Sequence, residues 1–388
     1  MYQGANSRIE VSESHDSSVP QESIEFSDVH GSLWVRSAPK ADWTEYFLGA
    51  LPGGACPSEW LADLSAFLEQ SGATLVELDV FGDPRLMGDV REALAASGFA
   101  AFPVSLLMHD EQAEGASGGM LVRAVRGVPV HPVVYQGTTL GYRFEDESAV
   151  YCYLGGLVPS DAAQDGAQQT TEVMTLIEGA LKVVGMVFQD VVRTWYYLDG
   201  ILSWYDDFNR ARTEFFKDHD VFSLRMPAST GIGIANASGK LVLAKVHALR
   251  PKNAACSVRV AGSPLQGCAY AYGSAFSRAL ELVSPGARSL HISGTASIAP
   301  SGETEYIDDV SAQIQRTLDV VQAILHDAGM DWTDTVRGIA YFRHAKDLTL
   351  WDAARAALKL PQPVELVVFA DICRDDLLFE LELEAATP

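Results

Sequence analysis

The chain ends in LLFELELEA, where Glu380, Glu382 and Glu384 recur at every second position between Leu381 and Leu383. A strand of that period puts the three carboxyls on one face and the leucines on the other. A carboxyl walled by apolar groups keeps its proton to neutral pH. It can then protonate the methylene carbon of an enol ether, or shuttle a proton for water attacking an imine. A solvated strand face has the same pattern, so the surrounding elements decide between the two readings. Trp195, Tyr196, Tyr205 and Tyr341 offer rings that suit either a planar ligand or an ordinary core. STGIGIAN, residues 229 to 236, offers successive backbone N–H groups to an anion, or glycines for close packing.

The elements that must position these groups repeat. LIEGALKVVGMVFQDVVRTWYYL, from residue 176, returns 144 positions later as VVQAILHDAGMDWTDTVRGIAYF, with Gly185/Gly329, Met186/Met330, Arg193/Arg337 and Tyr197/Tyr341 in step. Self-similarity over so long a period marks fused modules, so a site belongs where copies face each other. In the last copy LHISGTASI reads as a strand, ETEYIDDV as a short hairpin return, and SAQIQRTLDVVQAILHDAGM as a helix. TVRGIAYFR, DLTLWDAARAALKL, VELVVFADI and LLFELELEA follow as strand, helix and two strands joined by the CRDD turn. The earlier copy runs from YCYLGGLVP to KLVLAKVHAL. A worn third copy upstream has helices EWLADLSAFLEQSG and RLMGDVREALAASG around the strand TLVELDVFG, then a hairpin FPVSLLMHD/GMLVRAVRG.

The fold class is α+β, each module a mixed sheet with two helices on one face. The expected division is a disordered, polar arm over 1–30, modules over 31–147, 148–250 and 287–388, and a connecting segment over 251–286. Three copies would make the chain a pseudo-trimer and a monomer; two would require a homo-oligomer to close the ring.

A net charge of -23 opposes nucleic acid as a partner. No apolar run approaches the ~20 residues that span a bilayer. The five cysteines contain no CxxC pair, and the nine histidines no HExxH or HxxxH spacing, so reduced thiols in the cytoplasm and no metal are expected.

Residues 287 to 386 resemble the Rid (YjgF) family through Ile292-Ser293-Gly294, the helix ending in AGM, TVRGIAYFRHAKDL and ADICRDDLLFELELEA. The tandem pair is most similar to the chorismatases, through RTWYYL at Arg193, PASTGIG at Pro227, SGTAS from Ser293 to Ser297, and ICRDDLLFE ending at Glu380. The resemblance implies that Glu380 handles the proton, and places Lys245 at the matching position of the middle copy. It implies a substrate site drawn from Arg193, Tyr196, Tyr205, Gly294, Thr295, Tyr341, Arg343 and Cys373, with no cofactor. Gly294 and Cys373 match the chorismatases that form 3-hydroxybenzoate.

The departures concern arginines. LPQPVELVV lacks the one that grips a carboxylate in Rid deaminases, AYGSAFSRAL stands where chorismatases carry Gly-Pro-Arg, and WDAARAALK stands near their second-helix arginine. Each lost clamp is worth about 1.5–3 kcal/mol. Arg278 is a replacement candidate, and Arg374 reads as a turn charge or a ligand. The reaction stays open among chorismate lysis to hydroxybenzoate plus pyruvate, closure of an aromatic ring on a carboxylate-poor biosynthetic intermediate, imine or enamine hydrolysis, and binding without catalysis. All but the last act on a small molecule, the first two in natural product metabolism.

Overall fold

The computed structural model describes residues 26–50, 56–109, 118–358, 360 and 365–388. The expected arm lies outside the described residues except for its last five, which form a strand. Among the described residues no helix is long and apolar enough to cross a membrane.

The first sheet is built from β1 (Phe26–His30), β2 (Leu33–Pro39), β3 (Thr44–Ala50), β4 (Thr74–Gly82), β5 (Ser105–Met108) and β6 (Gly119–Arg126), with helices α1 (Pro57–Ser71) and α2 (Met87–Ala96). The second has β7 (His131–Tyr135), β8 (Thr138–Glu145), β9 (Ala149–Leu157), β10 (Val191–Leu198), β11 (Ala228–Ile232), β12 (Ala235–Asn236) and β13 (Val242–Pro251), with α3 (Gly166–Val183) and α4 (Tyr205–Asp218). The third has β14 (Ser257–Ala261), β15 (Ala279–Ser284), β16 (Ala287–Ala296), β17 (Thr335–Phe342), β18 (Glu365–Phe369) and β19 (Phe379–Thr387), with α5 (Val310–Asp327) and α6 (Leu348–Leu358). The strand orders are β2-β3-β6-β4-β5, β8-β9-β13-β10-β11 and β15-β16-β19-β17-β18, flanked by β1 and β12 in the first sheet, β7 in the second and β14 in the third. The same path is thus drawn three times. The exception is β12, which leaves its own module and pairs with β5 of the first.

Local chemistry sets these elements. Asp165 and Gln168 form a capping box that starts α3, and Asp309 caps α5 through the Ala312 N–H. After the first helix of each module the chain turns at Gly72, Gly185 or Gly329, all at positive φ, where a side chain would be strained. Each helix pair covers the outer face of its sheet, as with Trp60, Leu61, Leu64 and Phe67 of α1.

Three sequence expectations change. The hairpins FPVSLLMHD/GMLVRAVRG and VELVVFADI/LLFELELEA are not hairpins: β4 lies between β5 and β6, and β17 between β18 and β19. The physical reason is the right-handed strand–helix–strand crossover, which lays the fourth strand parallel outside the third and sends the fifth to its other side. ETEYIDDV forms no strand; the partner of β16 is β15, which precedes it. The connecting segment therefore contributes β14 and β15 to the third sheet, and β7 and β8, before residue 148, belong to the second.

The inner faces of the three sheets meet along a common axis. One half of the interface is apolar, with Phe81, Leu107, Trp195, Leu243, Tyr341 and Leu366 in one cluster. The other half is a buried ionic network. Lys245 bonds Glu77 and Asp79, Arg337 reaches Glu77, Asp79 and Glu384, and Arg123 joins Glu45 to Glu384. Burial works against the Glu77 charge, yet Lys245, Arg337 and His247 outweigh it and hold its pKa well down. His247 and His291 are pushed down by burial to about 3 and about 4, and stay neutral. Removing one partner of such a set leaves buried charge uncompensated. Lys245→Met is expected to destabilise the protein by about 3–5 kcal/mol, read from urea unfolding against the parent; an unchanged midpoint would show that the network contributes nothing.

Candidate active site

Glu380, Glu382 and Glu384 face the axis from β19, while Leu381, Leu383 and Ala385 pack under α5 and α6. At 5%, 3% and 5% exposure, none belongs to a solvated strand face. Their partners differ. Glu384 is paired with Arg123 and Arg337, which outweigh its burial and hold its pKa far below the usual range. Glu382 accepts from Trp195 Nε1 at 2.8 Å, Arg193 Nη2 at 3.0 Å and Thr230 Oγ1 at 2.5 Å. Among the described residues no ion pair reaches Glu380.

Glu380 opens instead onto a cleft of about 510 Å³ between the second and third modules. Module two supplies Trp204, Tyr205, Asn209 and Arg212 from α4 and its approach, and Ser229 and Gly231 from β11. Ser274, Phe276 and Arg278 come from the segment before β15, Gly294 and Ala296 from β16, and Cys373 and Arg374 from the turn before β19. Burial, with Glu382 adding to it, raises the Glu380 pKa to about 8 against the opposing pull of Arg193 and Arg278. Burial also raises the Tyr205 hydroxyl, and takes the Cys373 thiol up to about 12 with Glu380 adding to it.

A bulge in β16 makes this approach possible. The register against β19 shifts between Ile292 and Thr295, and the freed groups bond module two. The Ser229 N–H donates to Ser293 Oγ at 2.8 Å, Ser293 Oγ donates to Ser277 O at 2.6 Å, and the Gly294 N–H donates to Thr230 Oγ1 at 3.1 Å. A Cβ on Gly294 would lie 2.0 Å from Glu380 Oε1, so any side chain there would push the carboxyl from its present place.

The structure brings Glu380, Tyr205, Gly294 and Cys373 of the expected set to one cleft. Arg193 sits one layer behind, bound to Glu382 and Thr230 at 1% exposure. Thr295 is buried with its hydroxyl on Ser293 O and is not part of the cleft lining. Tyr196 points to the helix side and packs on Phe208, because its neighbours Trp195 and Tyr197 take the axial face. Tyr341 lies opposite Glu380 in the strand pair but inside the apolar axis. Arg343, at the end of β17, pairs with Asp371 and Asp375 beside a different hollow that holds His109 and Phe369.

Lys245 is not the counterpart of Glu380. Register pairs Tyr341 with Glu380, Tyr197 with Leu243 and Phe81 with Gly119, whereas Lys245 faces Trp195 as Glu382 faces Ile339. The equivalents of Glu380 are therefore Leu243 and Gly119, and only one inter-module cleft carries a carboxyl at that place.

Three arginines also line the cleft: Arg278 and Arg374, which the sequence offered as candidates, and Arg212, which it did not. Arg212 is 1% exposed, bonds Asn209 Oδ1 at 2.6 Å, lies over the Phe208 ring, and has an Nε with no hydrogen-bond partner. Tyr205, Asn209 and Arg212 follow at helical spacing, i, i+4 and i+7, which was the available signal. Arg278 donates to Gly267 O at 3.2 Å, and Arg374 to Gly302 O at 2.7 Å. The cleft thus sets buried Glu380 beside three guanidinium groups, with Asp206 and Asp207 also on its lining.

Comparison with known proteins places this geometry. Residues 147–248, the second module, match the Endoribonuclease L-PSP family model. A crystal structure of a chorismatase superposes over 90% of this chain and 99% of its own at TM-score 0.62 and 19% identity. RidA from an Antarctic Psychrobacter aligns over 33% of this chain and 98% of its own (17% identity, TM-score 0.28), and yeast Mmf1 over the same shares (14%, 0.28). No curated protein sequence matches. In fold the chain is a chorismatase-like protein of tandem Rid-type modules.

The raised pKa has a thermodynamic consequence. Between the ordinary value of 4.5 and about 8 the folded state keeps a proton that the unfolded state releases, so Glu380 lowers stability progressively as pH rises through that window. Glu380→Gln is expected to melt above the parent at pH values beyond about 8, by on the order of a few kcal/mol, with the gap closing toward pH 5. Parallel melting curves across this range would show Glu380 to be ionised throughout.

Proposed function

We propose that the protein is a chorismatase-like enzyme in which neutral Glu380 protonates the enolpyruvyl methylene carbon of chorismate, yielding a hydroxybenzoate and pyruvate. The observation that carries this reading is the uncharged, buried acid facing a ring-sized cleft beside Arg212, Arg278 and Arg374. Protonating that carbon creates a cation stabilised by the ether oxygen, and the carbon–oxygen bond to the ring then breaks as pyruvate leaves. The ring loses a proton to become aromatic while the Glu380 carboxylate recovers one. Chorismate equals hydroxybenzoate plus pyruvate atom for atom, so the conversion is balanced without an oxidant or reductant.

The arginines answer the doubt about the carboxylate clamps. Arg212 comes from α4 of the second module, Arg278 from the AYGSAFSRAL stretch that stands in place of the Gly-Pro-Arg run, and Arg374 from the turn before β19. Arg212, Arg278 and Arg374 outnumber Asp206 and Asp207 on the lining, which favours a carboxylate-bearing ligand over the carboxylate-poor intermediate of a ring closure. The volume, about 510 Å³, exceeds what a three-carbon imine needs and suits a substituted ring. Tyr205 and Phe276 supply faces for it.

Purified protein incubated with chorismate is expected to release pyruvate, and Glu380→Gln to lose about 10²–10⁴-fold in kcat. Arg212→Leu is expected to act mainly on KM, about ten- to a hundredfold, as removal of a charge-assisted bond to bound substrate does. Absence of pyruvate with the unmodified protein, or full turnover by Glu380→Gln, contradicts the proposal.

A further inference from the structure

The acid of the cleft has a neighbour that touches no ligand space. Glu382 lies two residues along the same central strand, so the pleat sets its side chain on the same face about 7 Å from that of Glu380. It is absent from the cleft lining, and is surrounded by donors: Trp195 Nε1, Arg193 Nη2 and Thr230 Oγ1. The Thr230 hydroxyl also accepts from Gly294 N–H, the backbone group beside which Glu380 rests. A carboxylate so held cannot swing away from Glu380 or draw a counter-ion from solvent.

We propose that Glu382 is a positioning residue for the reaction proposed above, a fixed buried negative charge that keeps the adjoining Glu380 protonated and therefore usable as an acid at neutral pH. The inference rests on that reading only for its kinetic half. The charged and titratable groups facing the pair are few. Arg193 bonds Glu382 from β10, Arg278 approaches from the segment before β15, and Asp206, Asp207, Arg212 and Tyr205 face the cleft from α4. Cys373 and Arg374 lie in the turn before β19, and Tyr341 and Tyr197 flank the two carboxyls on the axis. The cations pull toward ionisation of Glu380, and Glu382 is the acidic group set against them. Its effect exceeds that of either Arg193 or Arg278. A unit charge about 7 Å away, at the effective dielectric of buried sites, displaces a titration by about one to two pH units.

Arg193, the Trp195 indole and the Thr230 hydroxyl together hold the Glu382 carboxylate in place.

The test compares Glu382→Gln with Arg193→Met, two near-isosteric changes of opposite sign. In the pH profile of kcat/KM for pyruvate release, the alkaline limb is expected to move down by about one to two pH units in Glu382→Gln and up in Arg193→Met. The same displacements are expected in the pH dependence of the melting temperature, which needs no substrate, so a failure of the chorismate reading does not obscure the result. Should one variant fail to fold, the sign of the shift in the other decides. A merely structural role would lower kcat or the melting temperature while leaving both limbs in place; unmoved limbs, or shifts of the same sign in both variants, overturn the proposal.

Discussion

Everything in this molecule follows from having three sheets turn their inner faces toward one axis. A strand presents every second residue inward, and nothing polar can be left there unpaired without a cost of several kcal/mol. The chain meets the constraint by pairing across modules: acids of β4 with Lys245 and Arg337, acids of β19 with Arg123, Arg193 and Arg337. Such bonds also fix which module sits beside which, since no module contains the full set of its own partners. Among the described residues Glu380 is the acid of β19 left out of these ion pairs; it borders a cleft rather than packed protein, and burial favours its protonated form.

Fusion of the modules is what lets the clefts differ. In an assembly of identical subunits every change is made three times. Here the counterparts of Glu380 are Leu243, within the apolar axis, and Gly119, where a Cβ would lie 3.1 Å from Leu366. Of the three equivalent positions, one holds a carboxyl at the edge of a cleft and the other two hold uncharged residues.

Much of this was legible in the residues. The period-two glutamates, the glycines that end the first helices and the repeated GM…D.VR pattern set the module, its helices and the acid. What could not be read was whatever depends on which strand lies beside which. A crossover strand followed by a returning strand has the same local pattern as a hairpin, so β18/β19 and β5/β6 looked adjacent when a third strand divides each pair. The same uncertainty put Lys245 two residues out of step with Glu380, where only the hydrogen-bond register settles the matter. Strand aromatics could not be sorted either, because alternation fixes that Tyr196 and Trp195 part ways but not which of them faces the axis. Of the cleft arginines Arg212 escaped, because no motif marks α4 and only helical spacing brings it to the cleft beside Tyr205.

The account stands on a proton residing on Glu380 at neutral pH. Infrared difference spectroscopy of the parent protein against Glu380→Gln, titrated from about pH 6 to about pH 10, reads that proton directly through the carbonyl stretch of an un-ionised carboxyl. The account predicts a band present in the parent at pH 7, missing from the variant, and lost with a midpoint near the Glu380 value of about 8. A parent spectrum showing only carboxylate at that position throughout the range would contradict it.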